Sequence, residues 1–328
     1  MSPSRKCILI CGGAGYIGSH MNKMLSENGF RTVVFDNLST GHRKAVKWGS
    51  LFEGDLLSTD DLERLFGAFE FDAVMHFSAL SIVGDSTRDP ANYYRNNILG
   101  AINLLDVMRA HKVNRFIFSS TAAVYGQPKY VPIDERHPRG PINPYGRSKA
   151  AIEDILADYC EAYQLNSVAL RYFNAAGADT DGEIGEDHQP ETHLIPNILK
   201  SILKEGPQFQ VFGDDYDTKD GTCVRDYVHV NDICEAHLRA ISFLEESPGA
   251  HVFNLGTGKG FTVLQIIRAV EEVTGKSVSV QISERRAGDP PVLVASCEKA
   301  AQELGWIPKT TNLHEIISTA WRWHKKSG

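Results

Sequence analysis

Short apolar runs alternate with amphipathic stretches along the first half of the chain. Cys7-Ile8-Leu9-Ile10, Thr32-Val33-Val34-Phe35, Ala73-Val74-Met75-His76-Phe77, Phe116-Ile117-Phe118 and Ser167-Val168-Ala169-Leu170 are apolar at nearly every position. Strands of this kind are buried on both faces, as in a parallel sheet covered by crossover helices. Between them, Tyr16–Asn28, Asp60–Phe69, Pro90–His111 and Pro144–Gln164 carry helical spacing. The pattern predicts an α/β fold with a doubly wound parallel sheet.

The rhythm changes after residue 177. A loop rich in Gly, Asp and Glu (Ala178–Glu191) leads to a helix near Leu194–Lys204, then to short strands, turns such as Phe212-Gly213-Asp214-Asp215, and a terminal helix ending Trp321-Arg322-Trp323-His324. The expected division is a first domain over 1–177 that also takes part of 224–255. A smaller α/β domain, mainly 178–328, is interleaved with it.

At 328 residues the chain can bury a large core unaided. Its 34 Lys+Arg against 41 Asp+Glu give −7, which disfavours nucleic acid or an anionic membrane as partner, since both demand clustered basic surface. No apolar stretch reaches 18 residues, and Cys7–Cys11 is too short for the core of a signal peptide. The six cysteines contain no Cys-x-x-Cys pair, so free thiols in the cytoplasm are expected.

Glycines at 12, 15 and 18 follow the first apolar run and open a helical pattern. Gly12 would allow the tight turn, Gly15 the approach of a pyrophosphate, and Gly18 close helix–strand packing. A helix N-terminus there meets negative charge with free N–H groups. Asp36, at the end of the second run, is placed to accept from a ribose 2′-hydroxyl and to repel a 2′-phosphate, which favours NAD over NADP. Arg43 nearby pulls the other way. Asp55 follows a third short strand, where it can meet the adenine.

Tyr145 and Lys149 stand four apart on the helix expected to start at Pro144, hence a turn apart on one face. A phenol is a poor base at neutral pH unless positive charge pulls its pKa down. The ammonium of Lys149 and an oxidised nicotinamide would both do so. Ser119-Ser120-Thr121 ends the strand that precedes this helix, so Thr121 can hydrogen-bond the same substrate hydroxyl. This is a proton-transfer constellation beside a nicotinamide.

These residues resemble the extended short-chain dehydrogenase/reductase superfamily, with its Rossmann sheet. The resemblance covers nearly the whole chain and rests on Gly12–His20, Asp36-Asn37-Leu38, Tyr145–Lys149, Arg171–Asn174, Gly221–Tyr227 and Asn254–Gly258. Arg225-Asp226-Tyr227 and Arg286-Ala287-Gly288-Asp289 point more narrowly to nucleotide-sugar epimerases. The resemblance implies inversion at C4 of a UDP-hexose, UDP-glucose or UDP-galactose, through a transient 4-keto sugar on a tightly held NAD. Tyr145 would be the base, Lys149 would bind the nicotinamide ribose and lower the tyrosine pKa, and Thr121 would stand where the family often has serine.

On the cofactor side the resemblance adds Tyr16, Ile17, Asn37, Leu56, Phe77, Asn96 and Tyr172. For the UDP-sugar it implies Asn174, His193, Leu194, Phe212, Arg225, Arg286, Asp289 and Leu293, and a homodimer formed through the helices at Pro90–His111 and Pro144–Gln164. Three positions depart from the family's habits. Ser81 stands where several members have lysine, His193 replaces an asparagine, and Leu293 lies between the bulky aromatic that restricts members to plain hexoses and the small residue that admits N-acetyl sugars. The acid pair of related dehydratases is Ala122-Ala123 here, which removes the catalyst for elimination. His188 and His193 with Glu186, Asp187 and Glu191 fit no helical pair and read as a polar loop, so no metal is expected. No Gly-x-Ser-x-Gly elbow of a hydrolase occurs. The alternatives are another UDP-sugar (an N-acetylhexosamine, pentose or uronate) and, from a different class, a non-catalytic NAD-binding scaffold. Intact Tyr145, Lys149 and Thr121 argue against the scaffold.

Overall fold

The computed structural model describes residues 5–203, 208–286 and 289–327. Its contacts divide the chain into two units. The first comprises Met1–Gly126, Arg139–Arg171 and Cys234–Phe253; the second comprises Gln127–Pro138, Tyr172–Ile233 and Asn254–Gly328.

Along the chain run β1 (Cys7–Cys11), α1 (Tyr16–Glu27), β2 (Arg31–Asp36), β3 (Ser50–Glu53), α2 (Thr59–Ala68), β4 (Ala73–His76) and α3 (Val83–Arg88). Then α4 (Pro90–Tyr93) passes through a π turn at Tyr94–Leu99 into α5 (Gly100–Ala110), followed by β5 (Arg115–Thr121), α6 (Pro144–Tyr163) and β6 (Asn166–Tyr172). The later elements are β7 (Asn174–Ala176), α7 (Leu194–Leu203), β8 (Phe209–Phe212), β9 (Val224–His229), α8 (Val230–Glu246) and β10 (Ala250–Leu255). They end with β11 (Gly260–Thr262), α9 (Val263–Thr274), β12 (Val280–Ser283), β13 (Val292–Leu293), α10 (Glu298–Glu303) and α11 (Leu313–Ser327).

Seven strands form one sheet in the order β10-β6-β5-β4-β1-β2-β3. The pairs β1–β2, β1–β4, β2–β3 and β4–β5 are parallel. The strand order reverses between β1 and β4, so loops after these strands open where ligands bind in doubly wound sheets. Period-two alternation builds the core: Cys7, Leu9 and Cys11 share a face with Val33, Phe35, Val74, Phe116 and Phe118, under Leu62 and Leu65 of α2, Leu104 and Met108 of α5 and Ile152 of α6. The expected strands and helices stand, with ends moved by a few residues. The third apolar run stops at His76, the fourth extends to Thr121, and the terminal helix continues past His324. Lys204, placed at the end of α7 by its pattern, lies outside the described residues, as do Ala287 and Gly288.

In the second unit, β9 is central, flanked by β11 and β13, with β7 also paired to it. The apolar faces of α7 (Ile195, Ile198, Leu199), α9 (Ile266, Ile267, Val270) and α11 (Leu313, Ile316, Ile317) meet Tyr227 in a separate core. All six cysteines are free thiols, and no helix among the described residues is long and apolar enough to cross a membrane.

Candidate active site

The glycines of the first loop have different reasons to be glycine. Gly12 sits at φ +81°, and a Cβ there would fall 2.6 Å from the Ser78 nitrogen; a Cβ on Gly18 would fall 2.2 Å from the Gly12 carbonyl. Both positions are closed by the protein itself. A Cβ on Gly15 would meet only the Gly12 oxygen, at an ordinary 3.4 Å. Gly15 is also the N-cap of α1, which has no side-chain cap and no acid in its first turn. The N-terminus of α1 thus carries no protein side chain that competes with an anion for its positive end. Gly13, which the spacing did not single out, is held by Val34, whose methyl groups would lie 2.8 Å from a Cβ.

Asp36 ends β2, nearly buried, and its carboxylate accepts from Ala14 N at 3.0 Å and Leu38 N at 2.9 Å. Burial raises its pKa against those two bonds. Asn37 Nδ2 donates to Asp55 Oδ2 at 3.1 Å, and Leu57 N donates to Asp55 Oδ1 at 2.8 Å, so Asp36, Asn37 and Asp55 line adjoining loop ends. Arg43 is paired with Glu53, which answers the doubt it raised about a 2′-phosphate. Tyr16 and Leu56 are buried, and Ile17 and Phe77 half-buried. Ser81 is exposed.

Asn143 caps α6 by accepting from Gly146 N at 2.8 Å, with Pro144 in the first turn. That start fixes Tyr145 and, one turn on, Lys149. Thr121 acts on the Tyr145 hydroxyl in the direction that favours the phenolate, and its Oγ1 accepts from Ala123 N at 3.1 Å. Lys149 is 2% exposed; its Nζ donates to the Ser119 carbonyl at 2.8 Å and lies 4.7 Å over the Phe118 ring. The electrostatics differ from the sequence expectation. Desolvation pushes Tyr145 up to about 12 despite Thr121, and burial pushes Lys149 down to about 7, with Glu153 pulling it back up. The chain's own groups therefore do not lower the phenol, because low-dielectric surroundings penalise phenolate and ammonium alike.

Two supports escaped the sequence reading. Asn97, not its neighbour Asn96, is the buried asparagine: it bonds Leu80 through both backbone groups and donates to Ser148 Oγ at 3.1 Å, while Asn96 donates to its Oδ1 at 3.0 Å. The π turn of Tyr94–Leu99 sets this register, a local geometry that apolar periodicity does not report. Glu153 is the other. It accepts from Ser120 Oγ at 2.6 Å and is clamped by Arg171 at 2.9 and 2.5 Å, with Arg171 also donating to the Tyr125 hydroxyl. It lies one turn beyond Lys149, a spacing visible in the sequence.

In the second unit, Leu293 is the register neighbour of Arg225 on the parallel β13–β9 pair. Arg225 donates to the Pro290 carbonyl at 2.9 Å and lies 3.9 Å from the Asp289 carboxylate. Arg286 stacks its guanidinium 4.0 Å over Phe212. The charges of Arg225, Asp289 and Arg286 all act on Cys223, so these residues share one neighbourhood. The buried Tyr216 hydroxyl beside them, acted on by Arg225 and Asp289, has no partner among the described residues. Asn174 Nδ2 reaches the Asp226 carbonyl at 3.0 Å. Tyr172 closes β6 and is buried. Asp226 faces away from this cluster and serves the scaffold, accepting from Thr257 N and Oγ1, Gly258 N and Ala295 N.

The sequence signature of the NAD dependent epimerase/dehydratase family matches residues 8–256. The chain belongs to this family. A UDP-glucose 4-epimerase of Rhizobium leguminosarum bv. trifolii is 50% identical over 320 residues, covering 98% of each chain. The crystal structure of UDP-glucose 4-epimerase from Brucella ovis in complex with NAD superposes with a TM-score of 0.94 at 49% identity, over 96% of this chain and 97% of that one. That of UDP-glucose 4-epimerase from Bifidobacterium longum in complex with NAD+ and UDP gives 0.93 at 38% identity, over 98% of each chain.

One feature of this epimerase/dehydratase family member lies in the loop read as polar. Ligand atoms of Glu186, His188, Glu191 and His193 all lie within 4.8 Å of one another. His193, at the start of α7 beside Leu194, bonds Glu186 through Nδ1. The alternation Glu-x-His, twice, puts each pair on one side of an extended chain.

Proposed function

We propose that the protein is an NAD-dependent 4-epimerase that interconverts UDP-glucose and UDP-galactose. The observation that carries this reading is the placing of Tyr145 in the first turn of α6, one helical turn before the buried Lys149, with Thr121 at the carboxyl end of β5, in a sheet whose β1–α1 turn leaves Gly15 open and without a side-chain cap. Close identity to proteins named UDP-glucose 4-epimerase over nearly their whole length supports the substrate.

The first unit fits a dinucleotide. Gly15 offers space and the N-terminus of α1, which has no side-chain cap, suits a pyrophosphate; Asp36 stands for the ribose and Asp55 for the adenine, with Tyr16, Ile17, Asn37, Leu56, Phe77 and Asn96 as further contacts, and Tyr172 of the second unit is a further cofactor contact. Bound NAD would supply a hydride acceptor and donor for C4 and a positive charge that favours the Tyr145 phenolate. Tyr145 takes the proton of the sugar 4-hydroxyl and gives it back, so the sugar passes through a 4-keto form. Thr121 holds that hydroxyl, and Lys149 holds the nicotinamide ribose. In the second unit, Arg225 and Arg286 present guanidinium forks suited to a diphosphate, His193 adds a donor, and Asn174, Leu194, Phe212 and Asp289 serve the nucleotide. Ala122-Ala123 offer no acid for dehydration.

A second reading, acceptance of UDP-N-acetylhexosamines, is favoured by Leu293, half-buried beside Arg225 where a bulkier ring would narrow the space. We also propose a cytoplasmic homodimer through α4–α5 and α6, whose exposed Tyr94, Leu99 and Tyr163 supply apolar surface. Size-exclusion chromatography with light scattering tests it, with a dimer mass expected and a monomer mass contradicting it. For the function, a panel of UDP-glucose, UDP-GlcNAc, UDP-xylose and UDP-glucuronate should show turnover of UDP-glucose; turnover confined to another sugar would move the assignment to that sugar.

A further inference from the structure

We propose that Glu186, His188, Glu191 and His193 form a binding site for a divalent transition metal of the zinc class. The four residues lie within eight positions of one loop, and they bring two carboxylates and two imidazoles together. Glu186 Oε1 lies 3.0 Å from His188 Nδ1, which is 3.8 Å from Glu191 Oε1, and Glu186 Oε1 also contacts His193 Nδ1. A tetrahedral ion with bonds near 2.0–2.1 Å needs ligand atoms about 3.4 Å apart. The 3.0 and 3.8 Å spacings lie on both sides of that value.

Burial and charge point the same way. The Glu186 and Glu191 side chains are 3% and 5% exposed, while those of His188 and His193 are 31% and 50% exposed. The carboxylates thus form the floor of the cluster and the imidazoles its solvent side, which gives an ion a path in. Lys200 Nζ, 3.1 Å from Glu191 Oε2, balances one carboxylate. The other faces two histidines, and a divalent ion held by neutral imidazoles balances it as a second cation would. The charges of Lys200, Glu186, Glu191 and Asp187 also act on His324 of α11, which places that histidine in the same neighbourhood.

The ligands are also held from behind, as metal ligands are. Thr192 N and His193 N donate to Glu191 Oε1 at 2.9 and 3.0 Å, and Trp323 Nε1 of α11 donates to the Glu186 carbonyl at 3.2 Å. Two nitrogens and two carboxylate oxygens in a compact cluster suit zinc better than calcium or magnesium, which prefer all-oxygen shells. A metal on His193 Nδ1 would leave the ring proton on Nε2, fixing His193 as a donor.

The full-length protein would be stripped with a chelator, dialysed against zinc chloride, freed of loose ion by gel filtration, and assayed for zinc by mass spectrometry and for melting temperature. The expected result is one zinc per chain and a higher melting temperature with zinc than without. Glu186→Gln and His188→Ala should each retain less than a tenth of that zinc. Because His188 is partly exposed, its variant keeps the test valid if the Glu186 variant fails to fold. Wild type that takes up no zinc, or no more than His188→Ala, would overturn the site and leave the loop held by protonated histidines alone. Neither readout needs turnover, so failure of the epimerase reading would not be mistaken for failure of the metal site.

Discussion

In the first unit, Gly12–Gly18, Thr121, Tyr145 and Lys149 all lie at a strand end or in the opening turns of a helix. In the second, Arg225 meets Pro290 65 positions away, and the buried carboxylate of Asp226 gathers Thr257, Gly258 and Ala295. One region mounts its side chains on a sheet that is already complete; the other uses polar groups to complete its own scaffold. A polar substitution should therefore separate activity from stability in the first unit and join them in the second.

The sharpest break of that contrast is Tyr145→Phe. It should lower turnover about 10²–10⁴-fold, the usual scale for one acid–base group, while NAD stays bound and the melting temperature holds; near-normal turnover would remove Tyr145 from the role. Asp226→Ala should do the opposite kind of damage. It removes a fully buried acceptor and leaves Thr257, Gly258 and Ala295 without it, at a cost of about 3 kcal/mol read by denaturant unfolding. If it unfolds no more easily than wild type, the second unit does not depend on this carboxylate.

The glycines refine the comparison inside the first unit. Gly18→Ala should destabilise the protein by about 2–4 kcal/mol, since its Cβ has no room. Gly15→Ala should leave cofactor-free stability unchanged and weaken NAD binding about tenfold, or ~1.4 kcal/mol, measured by calorimetric titration. Equal effects at the two positions would refute the assignment of Gly15 to the ligand.

This contrast also explains what the sequence could convey. The sheet, the cradle and the Tyr145–Lys149 pair were legible because each is a local spacing: period two, period 3.6, or a fixed offset after a strand. Asn97 was not, since a π turn shifts the face it presents. The upward push of burial on the cofactor-free Tyr145 phenol was not legible either, because spacing shows the neighbouring ammonium and not the burial of both groups. The Glu186–His193 group was visible as residues but not as a compact cluster, because its order comes from an extended loop held by Trp323 and Lys200, contacts that only the fold creates.

A smaller effect concerns pH. Lys149 has a folded pKa of about 7, below its ordinary 10.5. The folded cofactor-free protein then binds fewer protons than the unfolded chain between those values, so this group's contribution to stability is complete above 10.5 and lost as pH falls through about 7. Lys149→Met should flatten that slope in melting curves taken from pH 7 to pH 9.5; an unchanged slope would place the titration elsewhere. The smallest expected change is at Leu293→Tyr, which should lower the ratio of N-acetyl to plain substrate turnover about tenfold. An unchanged ratio would show that Leu293 does not gate the sugar.

The central claim is tested most directly by incubating the purified protein with UDP-glucose, without added oxidant, and following UDP-galactose by chromatography. UDP-galactose should accumulate to a constant ratio that is also reached from the UDP-galactose side. Protein carrying bound NAD that forms no UDP-galactose would contradict the account.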